Sequence, residues 1–572
     1  MTNADIAHVF AEVADLLEIQ GADGFRVNSY RKVARTLEEA TGSLAELAVR
    51  GELESLPGVG KSSAEKIHEL LATGHLALRN ELAAQVPETL LELLQIQSVG
   101  PKKVALLWKE RGIKSLADLK AALADGKLAG LKGFGDKSIA LIQQGLEFLE
   151  RNAGRRRLGI AWQIAEIVRG AVAALPGVRR IESAGSLRRG RETVGDLDLL
   201  CVADDPAGVI KRFGELAGVQ QVLVAGDTKG SILYEYRPRR TLQVDLRVVP
   251  AESFGAAWQY FTGSKDHNVK LRERAQQRGW TLNEYGLFEG DKRLAGTTEE
   301  EVYAALGLPC YPPELREDRF EFALDAVPED LIALEHIRGD LHLHTTASDG
   351  RNTIEEMAAS AKEHGYHYVC VTDHSASTMI ANGLTAERLL EHAAAVREVA
   401  AKLKGITLLA GTEVDILEGG LDYPDKVLAQ LDFVVASLHI ATNNEQENTK
   451  RTLAAIRNPY VNVIAHPTGR LINERDAFPI DMAAVCAAAG QTGTALEINA
   501  AFQRLDLKDT HARQAQQAGV TIVINTDAHA VEQFDQMRFG VMTARRAGLL
   551  RDDVLNTWPL AKLRKFVARK RP

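Results

Sequence analysis

The sequence predicts a multidomain chain in three architectural parts: an all-α front, an α/β middle, and a back half whose strands and helices alternate as in a (β/α)7 barrel. Three observations lead there. The chain has 572 residues, more than one hydrophobic core usually organises. The spacing of apolar residues changes from helical to strand-like near residue 158. Seven apolar runs, separated by amphipathic helical stretches, follow residue 336.

Residues 1 to about 150 read as helices with short turns, with apolar residues at helical spacing over 6–19 and 82–94. A helix over 160–175 then precedes β-rich runs at 180–183, 198–202, 221–224 and 242–249. A mixed stretch with a capping-box signature at Thr298 and Glu301 runs to about 310. Pro309, Pro312 and Pro313, followed by an acidic stretch ending near Glu335, predict a linker. The seven runs of the back half are 340–344, 368–373, 407–413, 433–439, 461–466, 495–499 and 521–527. The basic segment 564–572 reads as a solvated tail.

Composition narrows the function classes. Hydrophobic residues at 45% and charged residues at 26% are globular values and exclude a disordered chain. A net charge of −8 excludes a uniformly basic nucleic-acid binder, so phosphate contacts must come from local patches. Cys201, Cys310, Cys370 and Cys486 lie far apart without paired metal spacing, as expected in a reducing cytosol. Asp5 precedes any long apolar run, so no signal peptide is read, and no stretch is apolar enough to span a membrane.

Two turns in the front part carry chemistry: Leu56-Pro57-Gly58-Val59-Gly60-Lys61 and Ser98-Val99-Gly100-Pro101-Lys102-Lys103. Glycine beside a β-branched residue permits a tight turn, and the helix that follows offers free N–H groups at the positive end of its dipole. Gly58, Gly60, Lys61, Gly100 and Lys102 are therefore candidate DNA-binding residues that would hold a phosphate without reading a base. One such turn alone is most often a plain helix–helix connection; two, each with a lysine, favour the phosphate reading. Gly133-Phe134-Gly135-Asp136-Lys137 is a weaker third candidate because its middle residue is bulkier.

In the middle, Gly185-Ser186-Leu187-Arg188-Arg189-Gly190 precedes Gly195-Asp196-Leu197-Asp198, and Val244-Asp245-Leu246 follows. Strand residues two apart share a face, so Asp196 and Asp198 can bind common cations and Asp245 can complete the site. Three hard oxygen donors suit Mg²⁺ or Mn²⁺, which would activate an attacking hydroxyl and neutralise a triphosphate. Ser186 and Arg189 are placed to hold its β and γ phosphates. A bare Asp-x-Asp is usually a solvated strand end, so the neighbours carry this argument.

The back half offers His342, His344, Asp349, His374, Glu413, His439, His466, Asp527 and His529, at or just after the ends of six of the seven runs. That is the face on which a parallel barrel builds its active site. A lone histidine is usually structural, but nine ligand-type residues repeating at strand ends are not. They are too many for one tetrahedral ion. A cluster of two or three Zn²⁺ and/or Mn²⁺ ions is expected, able to activate water against a phosphodiester.

These motifs resemble known families. The front turns resemble the helix-hairpin-helix elements of DNA repair proteins. Gly185-Ser186 ahead of the Asp-x-Asp resembles the nucleotidyltransferase palm of family X polymerases, poly(A) polymerases and tRNA nucleotidyltransferases. Tyr260-Phe261-Thr262-Gly263-Ser264, then Asn268, Arg272 and Asn283-Glu284-Tyr285, single out family X with its palm and thumb. The resemblance implies nucleotide binding by Gly185, Ser186, Arg189, Gly195, Tyr260, Phe261, Gly263, Asn268 and Arg272. Tyr260 would disfavour a ribose 2′-hydroxyl, Asn268 would touch the minor-groove edge of the nucleotide, and Arg272 would contact the template. Gln243 departs from vertebrate polymerase beta, which has an arginine there.

Lys66 falls where repair members of the family carry a Schiff-base lysine and is a candidate lyase nucleophile, although Ser62 and Arg26 replace two of the family's lysines. In the back half, Asp340-Leu341-His342-Leu343-His344-Thr345, Thr372-Asp373-His374, Gly411-Thr412-Glu413, Ser437-Leu438-His439, Ala465-His466-Pro467 and Thr526-Asp527-Ala528-His529 resemble the polymerase-and-histidinol-phosphatase (PHP) domain, a distorted (β/α)7 barrel.

The expected domains are 1–85 and 86–150, each helical with one hairpin, a palm over 151–250, a thumb-like subdomain over 251–315, a linker over 316–335 and a PHP domain over 336–572. The resemblance implies a bacterial or archaeal polymerase that takes dNTPs and fills short gaps in base-excision or end-joining repair. Its partner would be gapped or primer-template DNA with a 5′-phosphate, and it would act as a cytoplasmic, nucleoid-associated monomer. The PHP domain implies 3′–5′ exonuclease, 3′-phosphatase or abasic-site cleavage. Two other readings compete. A DNA-binding scaffold with a silent polymerase conflicts with the intact aspartate triad, and a small-molecule phosphomonoesterase leaves the front hairpins without purpose.

Overall fold

The computed structural model describes residues 1–572 apart from 2, 41, 42, 97, 98, 153, 239, 571 and 572; the side chains of 4, 38, 39, 148 and 150–152 are also outside the description. Ser98 of the second hairpin and the last two residues of the basic segment thus lie outside the described residues. The chain forms two compact units, 1–153 and 154–572. No described helix is long and apolar enough to cross a membrane.

The first unit is all-α. Its first helix, Asn3–Gln20, buries Phe10, Val13, Leu16 and Leu17 at helical spacing. That helix packs against both Gly24–Glu39 and Pro101–Arg111. One apolar cluster therefore runs from Ile6 through Ile67 and Leu107 to Leu146, and segments 1–85 and 86–150, expected as separate domains, share a single core. Segments this short bury little surface alone, and sharing a core lowers the exposed apolar area.

The second unit begins with a five-stranded sheet: β1 (Val178–Ser183), β2 (Asp196–Ala203), β3 (Val219–Ala225), β4 (Lys229–Arg237) and β5 (Arg240–Val248). The order is β1-β2-β5-β4-β3, with β2 and β5 parallel. Sequence reading missed β4, which pairs with β5 and β3. Its Lys229, Glu235 and Arg237 break the apolar pattern by which a strand is recognised. Helices Phe254–Thr262 and Lys265–Gln276 follow, then a small sheet of β6 (Thr281–Asn283), β7 (Gly286–Glu289) and β8 (Lys292–Ala295), and the helix Glu299–Ala305.

Residues 316–335 connect the halves as expected, but not as a solvated linker. Arg316 and Glu321 are 1% and 0% exposed. Arg316 Nη1 donates to Glu299 Oε1 at 2.5 Å, and Glu321 Oε1 lies 2.8 Å from His267 Nδ1. Ion pairing brings a charged segment inside where composition alone suggests solvent.

Seven parallel strands form the back half: β9 (Gly339–Leu343), β10 (Tyr368–Val371), β11 (Thr407–Leu417), β12 (Phe433–Ser437), β13 (Val463–Ile464), β14 (Ala495–Asn499) and β15 (Ile522–Asn525). They lie in sequence order, and a parallel bridge between Leu343 and Ala528 joins the last to the first. Each strand is buried on both faces, which is why the runs are nearly unbroken in apolar residues. Inside the barrel, Leu341, Tyr368, Phe433, Val463 and Val523 pack with Leu563 and Phe566 of the terminal helix Leu560–Ala568. The basic segment is accordingly docked, a correction to its reading as a tail. Lys570 Nζ donates to Ile456 O (2.9 Å), Val461 O (2.8 Å) and Thr494 Oγ1 (2.7 Å).

Candidate active sites

The front hairpins share one backbone design. Val59 N–H donates to Leu56 O (3.1 Å), Val99 N–H to Ile96 O (3.0 Å), and Phe134 N–H to Leu131 O (3.0 Å). Gly58 and Gly133 supply the left-handed residue, at φ 81° and 85°. Gly60 and Gly100 stand directly before the helices Lys61–Thr73 and Pro101–Arg111, as predicted. The third turn is built like the first, and the size of Phe134 is absorbed because its ring is buried in the core at 2% exposure. Its helix starts on Asp136, an anion at the end where a phosphate would sit. Lys66 is half-buried and donates to Ser62 O (3.0 Å) and Ser62 Oγ (2.7 Å).

In the palm, the parallel register of β2 and β5 sets Asp198 directly beside Asp245, and Asp196 lies two residues earlier on the same face. Carboxylate oxygens of the three lie within 4.8 Å of one another. Burial, and then the charges of Asp196 and Asp245, push Asp198 up to about 7. So much unbalanced negative charge, offered by hard oxygen donors alone, fits a pair of small divalent cations. Ser231 Oγ and Gln243 Nε2 both donate to Asp245 Oδ1, at 2.5 and 3.0 Å, so Gln243 orders the third carboxylate without adding charge. Gly185, at φ 61°, is needed for space: a Cβ there would lie 2.1 Å from Asp198 Oδ2.

Most of the other residues expected to bind the nucleotide lie in or beside the short helix Gly185–Arg188 and on the helices Phe254–Thr262 and Lys265–Gln276. Tyr260 and Phe261 meet edge to face, with centroids 5.2 Å apart. Arg189 Nε donates to Glu317 Oε1 at 3.1 Å and its Nη1 to Thr262 O, beside Gly263, where a Cβ would stand 3.0 Å from Nη1. Ser186 is half-buried, Gly195 lies against Arg155, and Arg272 is partly exposed on its helix. Asn268 Nδ2 donates to Tyr260 O and its Oδ1 accepts from Gln259 Nε2, both at 2.7 Å, so the amide holds Tyr260 in place and keeps its second N–H.

At the C-terminal mouth of the barrel all nine predicted donors converge. They form three overlapping groups: His344, Asp349, His374 and His529; His342, His344 and Asp527; and His374, Glu413 and His439. His466 joins through its Nε2, 3.1 Å from Glu413 Oε1. Glu413 is central, also facing His374 Nδ1 at 2.7 Å, His439 Nε2 at 3.4 Å and His342 Nε2 at 3.6 Å. It does not end its strand as predicted. Strand β11 continues to Leu417 because Asp415 stays in register with Ser437 of β12.

The buried atoms His342 Nε2 and His344 Nδ1 have no hydrogen-bond partner among the described residues. Such orphans are costly unless a cation takes them up, so the donor set fits a metal cluster. Burial and the neighbouring His529 and His374 bring His344 down to about 4. Against burial, Glu413 and Asp415 raise His439 to about 10. Two ligands sit in the left-handed region, His466 at φ 27° and Asp527 at φ 55°, strain of the kind that clusters at functional sites.

Sequence reasoning passed over the carboxylates behind these ligands. Glu497 Oε1 pairs with His342 Nδ1 (2.8 Å) and its Oε2 accepts from His466 N–H (2.9 Å). Asp415 Oδ1 pairs with His439 Nδ1 at 2.5 Å. Strand β14 supplies no direct ligand, but it supplies Glu497, whose signal was a lone charge within an otherwise buried strand.

Comparisons with known proteins agree with this division. Family models match for a helix-hairpin-helix domain over 1–76, a SAM-like helix-hairpin-helix tandem over 90–147, a DNA polymerase beta thumb over 257–317 and a PHP domain over 340–501. The chain is 40% identical over 573 residues to the DNA polymerase/3′-5′ exonuclease PolX of Bacillus subtilis (strain 168), covering 100% of both. It is 29% identical over 344 residues to DNA polymerase lambda of Rattus norvegicus, spanning 55% of this chain and 56% of that one. A probable phosphatase of Thermoanaerobacter sp. (strain X514) is 32% identical over 247 residues, 41% of this chain and 95% of that protein.

Proposed function

The chain belongs to the polymerase-beta-like family X DNA polymerases with a C-terminal PHP domain, and on that premise we propose that it fills short gaps during DNA repair and trims 3′ ends with its barrel. The observation that carries this reading is that one chain holds two separate donor clusters, three aspartates on the palm and nine histidines and carboxylates at the barrel mouth.

Divalent ions held by Asp196, Asp198 and Asp245 would lower the pKa of a primer 3′-hydroxyl and neutralise an incoming triphosphate. Ser231 and Gln243 keep Asp245 turned toward that position, and Gly185 leaves room for Asp198. Arg189 is oriented by Glu317 and the Thr262 carbonyl, and its Nη2 makes no hydrogen bond among the described residues, leaving an edge for a phosphate. Tyr260, steadied by Asn268, lies where the sugar would pack and disfavours a 2′-hydroxyl. Gly58, Gly60 and Lys61, with Gly100 and Lys102, grip the DNA backbone without reading sequence.

In the barrel, divalent ions would activate water against a phosphodiester. The imidazole-rich donor set favours Mn²⁺ and Zn²⁺ there, and the all-carboxylate palm favours Mg²⁺. His344 and His374 each belong to two of the groups that would hold separate ions, and Glu497 and Asp415 orient His342 and His439.

The test is a labelled primer on a one-nucleotide gap with Mg²⁺ or Mn²⁺, with and without dNTPs. Asp245→Ala is expected to lose extension and keep degradation, and His344→Ala the reverse. Loss of both activities in either variant would refute two independent centres.

A further inference from the structure

Gly190 closes the turn that carries Ser186 and Arg189. Its φ of 63° sets that turn against the barrel helix Met537–Ala547, where a Cβ on Gly190 would stand 3.1 Å from Met542 Cβ. The same glycine lines a cavity of about 170 Å³ on the seam between palm and barrel, far more space than one water needs. The palm contributes Gly190–Glu192 to its wall; the barrel contributes Lys508–Thr510, Thr543 and Arg546.

Both carboxylates of this wall are already satisfied. Glu192 Oε2 meets Arg470 Nη1 at 2.8 Å, and Asp509 Oδ2 accepts from Arg546 Nε and Arg319 Nη2, each at 2.9 Å. The cations are not. Lys508 has no ion pair among the described residues. Arg191 reaches only Glu317 Oε2, at 3.7 Å, and Glu317 is shared with Arg189 and Arg546. Arg546 is 3% exposed, yet its Nη2 makes no hydrogen bond among the described residues. With the partners of the wall included, five cations stand against three carboxylates. Neighbouring groups feel the excess. Burial, then Lys508 and Arg470, push His511 down to about 4, and burial, then Arg546 and Arg191, lower Arg189 against the pull of Glu317.

A nearly buried guanidinium with a free nitrogen and an ammonium without a partner, on the wall of one cavity, are costly unless an anion compensates them. The donors suit a tetrahedral oxyanion. A guanidinium edge matches two phosphate oxygens, and Lys508 adds a point charge. The Thr510 hydroxyl and the first N–H groups of the helix Asp509–Gln517, which has no side-chain cap, stand at the same wall. A carboxylate ligand would bring one negative charge against an excess of two, whereas a phosphate monoester or diphosphate brings about two or more.

We propose that this cavity is a binding site for a phosphate group, separate from both donor clusters and independent of metal. The group is that of a free phosphate or diphosphate, or of a DNA backbone. Because its walls belong to palm and barrel, an occupied cavity adds a bond across the seam.

The test uses the full-length protein in EDTA, so that neither donor cluster holds a metal that could bind phosphate. Calorimetric titrations use pyrophosphate and, separately, a single-stranded oligonucleotide. The double variant Arg191→Gln, Lys508→Gln removes charge from two side chains that donate no hydrogen bond among the described residues. Thr510→Glu puts an anion at an exposed position in the first turn of its helix, where the dipole favours it. Both variants are expected to melt where the ligand-free wild type does. Pyrophosphate is expected to raise the melting temperature of the wild type, and both variants are expected to bind it about tenfold or more weakly. If only the oligonucleotide is weakened, with the slope of log affinity on log salt reduced by about one, the phosphate is that of DNA. Wild-type affinity for both ligands in both variants would overturn the proposal. So would binding of pyrophosphate that Ser186→Ala abolishes, since the anion would then sit in the palm.

Discussion

The chemistry of the palm depends on where single atoms are allowed to be. Gly185 is the clearest case, since any Cβ would meet Asp198 Oδ2 at 2.1 Å in a left-handed backbone. Gly185→Ala is expected to displace that carboxylate and cut the primer-extension rate by about 100-fold, with exonuclease unchanged; single-turnover extension on a gapped primer checks both. Glu299 makes a second residue-scale prediction. Burial raises its pKa, but Arg316 and Arg188 outweigh burial and hold it at about 2. A depressed carboxylate stabilises the fold above its unfolded pKa, near 4.5, and loses that contribution as pH falls through about 2, here about 3 kcal/mol. Glu299→Gln leaves two guanidiniums poorly compensated, Arg316 being 1% exposed, and is expected to cost about 3–5 kcal/mol at pH 7. Urea titrations at pH 7 and pH 3 would show a large gap between variant and wild type at the first and a smaller one at the second.

At the scale of elements, parallel register converts sequence spacing into geometry. Asp196 and Asp198 share a face by alternation, which the sequence shows; that Asp245 lies beside Asp198 depends on β2 and β5 pairing in parallel, which it does not. The barrel strands were legible because each is buried on both faces, and their ligands because histidine is conspicuous after an apolar run. Strand β14 was legible as a strand but not as part of the site, because a carboxylate one layer behind a ligand has no spacing rule. Glu497→Gln keeps the size and removes the charge behind His342. It is expected to weaken binding of at least one metal ion by about 10- to 100-fold, read as ion content after dialysis against a graded chelator. A full metal complement in this variant would show that Glu497 serves packing only.

In the molecule as a whole, residues 154–572 behave as one unit because the palm and thumb are joined to the barrel by both apolar and charged contacts. Trp162 meets Phe539 edge to face at 6.1 Å, and a Cβ on Gly159 would stand 2.3 Å from Phe502. Arg546 Nη1 donates to Glu317 Oε1 at 2.9 Å and to Arg189 O at 2.8 Å, so a barrel helix touches the turn that carries Arg189. Gly159→Val is expected to overpack this seam by about 1–3 kcal/mol and to lower the temperatures at which extension and degradation are lost together. Paired thermal-inactivation curves check this; two activities lost at separate temperatures would mean that the seam does not couple them.

By itself the sequence determined what local rules encode: the helical front, the strand runs of the barrel, the aspartate triad and all nine barrel donors, each recognisable from residue type and spacing along the chain. Only the tertiary structure decided the rest. The shared core of the first unit, the buried connection at 316–335, the docked terminal helix, and the partners of Arg189 and His342 join residues distant in sequence. A charged or polar side chain reads the same in a linear chain whether it ends in solvent or in an ion pair. Its burial is favourable only when a partner from another element arrives to compensate the lost hydration, and that arrival is a property of the fold.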